Sequence, residues 1–437
     1  MFMNRAEEVI EWIHSLLPFG IKPGLKRMEW MLERLDHPER KIQTIHIGGT
    51  NGKGSTVSFM RHVLEHAGYQ VGTFTSPYIE CFEERISLNG NPIEADVLVE
   101  CSNRIRPLVE ELAQTDLGSP TEFEVITTIA FDYFANIAKP DIVLIEVGLG
   151  GRLDSTNVIS PLLSIITSIG YDHMHILGET ISEIAFEKAG IIKQNTTIIS
   201  GVSQDEARMI IKNVAQEKNA EYMQLRIDFD EQVKSVSEQE QAFSYSVEDK
   251  ELMEVVIRMQ GPHQRENAAV AITALKRLED DFHFKIGNEA LLQGMAATKW
   301  IGRFEQLSNK PLMIVDGAHN KEGMESLAQT LIEHYPNKKY RFVIAATKEK
   351  DMALLLKPFQ QMEATFTFTS FDFFRAADAS ELYNQAPVSK KRFDSNWEQA
   401  IKDERKVMEH DEMLIICGSL YFISAVREKW FKHGEAM

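Results

Sequence analysis

At 437 residues, 43% hydrophobic and 26% charged, the chain exceeds what one hydrophobic core ordinarily serves, and two globular domains are expected. A net charge of −18 and a pI near 5.3 exclude nucleic acid and anionic membrane as main partners, so an anionic substrate would need a local basic patch or a metal ion. Three widely spaced cysteines, Cys81, Cys101 and Cys417, form no CxxC pair, which argues against a disulfide framework or zinc site and for a reducing compartment.

The opening MFMNRAEEVIEWIHSLL is amphipathic and carries Glu7, Glu8 and Glu11, unlike the uninterrupted apolar core of a signal peptide. No run reaches membrane-spanning length, so a cytoplasmic protein is expected. From there, apolar β-branched runs alternate with helical patterns, the signature of α/β layers. IQTIHIGG reads as a buried strand and STVSFMRHVLEHAG as the helix after it, with Val57, Met60, Val63, Leu64 and Ala67 at helical spacing and Gly68 as its stop. Between them, IGGTNGKGST boxes Lys53 between glycines. A glycine-rich turn from strand to helix aims backbone N–H groups and the positive end of the helix dipole at one spot, which suits phosphate. Lys53 would lie against the outer phosphates, and Ser55 or Thr56 would offer a hydroxyl to Mg²⁺. The common phosphate loop places Ser or Thr directly after the lysine, whereas here Gly54 intervenes.

TSPYIECFEERI offers Ser76 just after a short strand, and in PTEFEVIT Thr121 is placed to cap a helix with Glu124 at its N3 position. DIVLIEVG and LLSIITSIG are further buried strands, separated by the loop LGGRLDSTN. Glu146 is a lone acid near the carboxyl end of the first, where open α/β sheets bind ligands. It reads either as a magnesium ligand or as an acid satisfied by N–H groups or a salt bridge. SIGYDHMHILG brings Asp172, His173 and His175 in directly after the second strand. Each histidine alone reads as structural; beside the crevice of Glu146, His173 reads as a ligand candidate. SEIAFEKAGIIK predicts a helix ending at Gly190, with Lys188 in its last turn as a lysine favoured by the dipole. Residues 221–260 read as a small antiparallel excursion, and HQRENAAVAITALKRL as helix. After WIGRFE, the runs PLMIVDG, RFVIAAT, ATFTFTS and MLIICGS predict a second domain, with the boundary near residue 298. Arg303 sits at that linker, where it could reach a phosphate, and Asp316, His319 and Asn320 end the first strand of the new series.

With these stretches in view, the chain closely resembles the folylpolyglutamate synthase/dihydrofolate synthase family of the Mur ligase superfamily. The resemblance rests on GTNGKGS, TSPYIECFEERISLNG, PTEFEVIT, EVGLGGRLDSTNV, TSIGYDHMHILG, IAFEKAGIIK, GPHQRENA, GRFE, DGAHN and CGSLY, which stand in order over most of the chain. It implies an α/β fold: a phosphate-loop, Mur-ligase-like domain with a mainly parallel sheet over residues 1–297, and a smaller Rossmann-like domain over 298–437 that closes a catalytic cleft. It implies ATP-dependent joining of L-glutamate to a folate, or to dihydropteroate, through an acyl phosphate. Carried over residue by residue, Thr50, Asn51, Gly52, Lys53, Gly54, Ser55 and Thr56 fall on the nucleotide loop. Asn267, Arg303 and Asp316 fall where the family contacts ATP, with His263 and His319 beside them. Ser76, Glu146 and His173 match its magnesium positions, and Thr121, Glu122, Phe123, Glu124 and Asp154 match positions linked to the pterin. His319 is assigned to the substrate side, and Lys53, Lys188, His173 and Arg303 to catalysis. Lys188 matches a carbamylated lysine, which replaces the dipole reading. Only small-molecule partners and a monomer are implied. Dihydrofolate synthase activity alone, a Mur-type ligase for another carboxylate, and an ATP-gated binding module without chemistry are the alternatives.

Overall fold

A computed structural model describes residues 2–16, 20, 22–248 and 250–433. The chain divides into two compact units, one of residues 1–232, 243–256 and 266–298, the other of residues 233–242, 257–265 and 299–437. The division is therefore crossed several times, and not only near residue 298.

The first unit is built on an eight-stranded sheet. From edge to edge its strands are Asn91–Pro92, Ile86–Leu88, Val71–Phe74, Ile142–Glu146, Thr44–Gly48, Leu163–Ile166, Ile198–Ser200 and Tyr222–Gln224. The pairings are parallel except for the two at the Asn91–Pro92 edge. Thr44–Gly48 lies centrally and is buried throughout, as expected for a strand covered on both faces. On one side, helices Ala6–His14, Lys26–Arg34, Ala95–Leu112 and Glu122–Asp132 share a core with Phe74, Val143 and Ile145. Elsewhere, Ile181–Ala189 and Asp205–Glu217 bury Ile184 and Ile211 with Ile166 and Ile198. The helix that follows the central strand, Lys53–His66, packs on Gly287–Ala297. Gly294 permits that approach, because a Cβ there would lie 2.4 Å from Val63 Cα.

The second unit carries a six-stranded sheet in the order Glu305–Asn309, Leu312–Val315, Glu412–Cys417, Lys339–Ile344, Ala364–Phe368, Lys391–Phe393, parallel apart from its first pair. Successive residues of Lys339–Ile344 enter two cores. Phe342 and Ile344 join Met324, Leu327 and Leu331, whereas Val343 joins Ile401, Phe422 and Val426, as the period of two along a strand requires. The four strands expected from sequence are present, with Glu305–Asn309 and Lys391–Phe393 added at the edges. The excursion expected over 221–260 forms a separate three-stranded sheet of Phe229–Val236, Gln241–Val247 and Lys250–Ile257.

Candidate active site

The chain leaves Thr44–Gly48 and crosses to Val71–Phe74 on one side of it. It later returns to supply Ile142–Glu146 and Leu163–Ile166 as the strand's two immediate neighbours. The strand order reverses there, which opens a crevice at the carboxyl ends, the usual ligand position in such sheets. Three segments singled out in the sequence meet at this point: the glycine-rich loop, the strand end at Glu146, and the stretch TSIGYDHMHILG, whose strand ends at Ile166 rather than continuing through Gly170.

The loop Gly49–Gly52 depends on its glycines. Gly49 has φ +145° and a Cβ on it would lie 2.0 Å from Thr167 Oγ1; Gly52 has φ +87° and a Cβ there would lie 2.4 Å from Asn267 Oδ1. Only residues without a side chain take these conformations at these contacts. Helix Lys53–His66 begins at once, and its first bond runs from the Thr56 N–H to the Gly52 carbonyl. The N–H groups of Lys53, Gly54 and Ser55 precede that bond and have no partner within the helix. A phosphate is the natural acceptor for such a trio.

Lys53 curls back over the loop, donating to the Gly49 carbonyl at 3.1 Å and the Thr50 carbonyl at 3.3 Å, with Glu146 Oε1 3.9 Å away. Glu146 is buried and accepts from the Ser76 N–H at 3.3 Å. Lys188 reaches the same crevice from the last turn of Ile181–Ala189 and donates to the Gly49 carbonyl at 2.9 Å. Lys53 and Lys188 thus share one oxygen. Burial, and then the charge of Lys53, push the Lys188 ammonium down to about 7, with Asp172 and Asp154 pulling the other way. Lys188 does lie in the last turn of its helix, but its side chain is buried, so the helix dipole alone does not account for it. A drop from the ordinary lysine value to about 7 corresponds to roughly 5 kcal/mol of penalty on the charged form.

Of the three residues matched to magnesium, Ser76 and Glu146 come together. His173 lies exposed beyond the end of Leu163–Ile166, its ring 6.3 Å from that of His175. Among the described residues, no group of three or more His, Cys, Asp or Glu could hold a metal ion by itself. The donors near the loop are mainly oxygens, from Glu146 and the hydroxyls of Ser55, Thr56 and Ser76. Such a partial set fits Mg²⁺, which keeps waters and takes phosphate oxygens.

The pterin-linked residues stand mostly in structural contacts. Thr121 and Glu124 form the reciprocal cap expected of them at the start of Glu122–Asp132, and Glu124 is also paired with Arg27 at 2.9 Å. Glu122 faces Arg85 at 3.5 Å. Phe123 covers Gly148, where a Cβ would come within 2.4 Å of its ring. Asp154 is buried and accepts from the Leu149 N–H at 2.8 Å, the Thr156 N–H at 3.0 Å and the Thr156 hydroxyl. Burial holds its carboxyl above the usual range against those bonds. Thr156 Oγ1 lies 2.8 Å from Nε2 of His46, which burial pushes down to about 3 and so keeps neutral.

In the second unit, Asp316 ends Leu312–Val315 and accepts from the Phe304 and Ala318 N–H groups, both at 2.8 Å. Burial raises its carboxyl and Arg303 opposes the rise. Arg303 lies against Gly317, where a Cβ would come within 2.2 Å of Nη1. His319 Nδ1 is 2.7 Å from the Gly317 carbonyl. Arg303, Asp316 and His319 are therefore neighbours around one glycine. His263 is pushed down to about 4 by burial and then by Arg303.

Comparison with known proteins follows this geometry. Residues 47–275 match the Mur ligase middle domain and residues 301–428 the C-terminal domain of dihydrofolate synthetase. A dihydrofolate synthase/folylpolyglutamate synthase of Bacillus subtilis is 45% identical, covering 97% of this chain and 98% of that protein. The chain belongs to the folylpolyglutamate synthase/dihydrofolate synthase family of Mur ligases. Family membership makes it an ATP-dependent amide ligase. The crystal structure of folylpolyglutamate synthase from Thermotoga maritima superposes with a TM-score of 0.85 at 33% identity, covering 99% of this chain and 98% of that one. A folylpolyglutamate synthase complex with AMPPCP and folate gives 0.81 at 30% identity, covering 98% and 99%.

Sequence reasoning missed Thr167 and Ser168, which bond to the glycine loop, and the buried contact of His46 with Thr156 beside Asp154. A Thr-Ser pair leaving a buried strand was the available signal for the first. For the second there was none, because His46 and Thr156 are 110 positions apart.

Proposed function

We propose that the protein joins L-glutamate to reduced folates and also to dihydropteroate, each through an acyl phosphate. The observation that carries this reading is the convergence of the glycine loop, Lys53, Lys188 and Glu146 at one strand-order reversal, in a chain so similar to a dihydrofolate synthase/folylpolyglutamate synthase.

The chemistry runs in two balanced steps. A substrate carboxylate oxygen attacks the γ-phosphorus of ATP and ADP leaves. The glutamate amine then attacks the acyl carbon, phosphate leaves with the bonding pair, and the amine proton passes to solvent or a base. Phosphorylation is needed because a carboxylate oxygen is a poor leaving group. In the first step negative charge gathers on the transferring group, and the N–H groups of Lys53, Gly54 and Ser55 with the Lys53 ammonium are placed to receive it. Lys53 would leave the Gly49 and Thr50 carbonyls to do so. Bound Mg²⁺ would supply Lewis-acid neutralisation of phosphate charge; Glu146 and Ser76 would hold it, and we assign His173 to the same ion. We assign Asn267, Arg303 and Asp316 to the nucleotide and His319 to the substrate side. Thr121, Glu122, Phe123, Glu124 and Asp154 shape the pterin side, chiefly by fixing backbone.

Lys188 is assigned as a carbamate. A neutral amine adds CO₂ and releases a proton, which turns a buried cation into an anion suited to a metal-bearing site. The reading also takes the enzyme to be a cytoplasmic monomer with small-molecule partners only. No helix among the described residues is long and apolar enough to cross a membrane, and Cys81, Cys101 and Cys417 are free thiols.

The deciding assay is ADP release with Mg·ATP and L-glutamate, comparing tetrahydrofolate with dihydropteroate. Turnover with both is expected. Turnover with the folate alone removes the synthase half, and turnover with neither rejects the ligase reading. Glu146→Gln should raise the magnesium concentration for half-maximal rate by about tenfold or more, since one charged ligand becomes neutral. An unchanged magnesium titration would remove Glu146 from the metal.

A further inference from the structure

We infer that Thr167 and Ser168 are positioning residues that hold the nucleotide loop in its phosphate-binding form; the inference rests on the assignment of that loop to ATP. The contacts are dense and reciprocal. The Thr50 N–H donates to the Ser168 carbonyl at 2.8 Å. The Asn51 N–H donates to Ser168 Oγ at 2.9 Å, and the same hydroxyl donates back to the Asn51 carbonyl at 2.9 Å. Thr167 Oγ1 donates to that carbonyl at 2.6 Å and lies 3.2 Å from the Gly48 carbonyl. Beyond them, Thr50 Oγ1 accepts from the Gly170 N–H at 3.0 Å.

The arrangement divides the loop's donors into two groups. Thr50 and Asn51 turn their N–H groups to residue 168, so neither is offered to a ligand. The Lys53, Gly54 and Ser55 N–H groups remain aimed together at the head of the helix. A loop rich in glycine has many conformations to lose, and the contacts to Thr167 and Ser168 remove them before ATP arrives. Such pre-organisation appears as nucleotide affinity. Thr167 also stands where any Cβ on Gly49 would strike it, so the loop and its clamp are shaped as one piece. Neither side chain needs to touch ATP for this to act.

The test is calorimetric binding of AMPPCP to the full chain, without folate, for wild type, Ser168→Ala, Thr167→Val and Thr167→Ser. Loss of a hydroxyl that makes two bonds at the loop should weaken the analogue by about tenfold. Ser168→Ala and Thr167→Val should show that loss while the KM for tetrahydrofolate stays at its wild-type value and the free protein still unfolds in one cooperative transition. Thr167→Ser keeps the hydroxyl and should retain affinity, which keeps the test decisive should Thr167→Val fail to fold. Wild-type affinity in Ser168→Ala and Thr167→Val overturns the inference, as does a Thr167→Ser variant as weak as Thr167→Val. Wild-type protein that binds no analogue overturns the phosphate-loop assignment itself, and the inference with it.

Discussion

Replacing Lys53 with alanine should lower kcat by about 10³-fold or more, in the range seen when a single charge stabiliser is removed from a phosphoryl-transfer site. Lys53 begins the helix, so in the proposed role its backbone N–H and its ammonium would serve the same phosphate group. In the free protein the ammonium rests on two loop carbonyls, contacts it can exchange for phosphate oxygens without rebuilding the loop. The substitution should alter stability little, because the pair with Glu146 spans 3.9 Å, Glu146 keeps its bond from the Ser76 N–H, and removing Lys53 takes a like charge away from buried Lys188. Steady-state rates and thermal unfolding of the same preparation separate the two effects. Near-normal kcat would contradict the phosphate-loop assignment, and a collapsed Tm would make the loss structural.

The second large effect is expected at Lys188. Alanine there should abolish most turnover, and added short carboxylates should restore part of it by occupying the place of the carbamate. The pH dependence provides an independent check. The folded-state value near 7 lies below the ordinary lysine value, so the amine is mostly protonated at pH 6 and mostly neutral at pH 8. Carbamylation, which needs the neutral amine, should therefore rise with both pH and bicarbonate across that interval. The stability sign follows from the same shift. Below about pH 7 both folded and unfolded chains carry the ammonium, and the cost of burying it is present in full. As pH climbs from 7 towards the unfolded value that cost disappears, because only the unfolded chain still holds the proton. A bare amine by mass spectrometry of the intact protein at pH 8 in bicarbonate would exclude the carbamate.

Lys188 also marks the limit of what residues in a row reveal. In the last turn of a helix a lysine is ordinary, and local rules assign it to the dipole. Its unusual setting comes from Gly49, 139 positions earlier, and from Lys53 beside it, neither of which a local rule can see. The cap at Thr121 and Glu124 was legible because both partners lie within one turn, where spacing alone dictates the contact. Its pairing with Arg27 was not, since that depends on how two helices pack. Glu146 lay between. Its place at a strand end could be read from the apolar run before it, while its neighbours Lys53 and Ser76 come from a helix start and a loop elsewhere in the chain.

The amino-acid sequence by itself determined the alternating α/β layers, the strand–loop–helix around Lys53, and the two series of strands. These follow from hydrophobic period, glycine position and capping, all of which act over a few residues. The order of strands in the sheet was decided only in three dimensions. It set Ile142–Glu146 and Leu163–Ile166 on either side of Thr44–Gly48, and so brought Glu146, Thr167 and Ser168 to the glycine loop and buried Lys188 against it. The reason is physical: strand order depends on the burial of many side chains at once, and the charge state of Lys188 on the removal of water that this burial brings about.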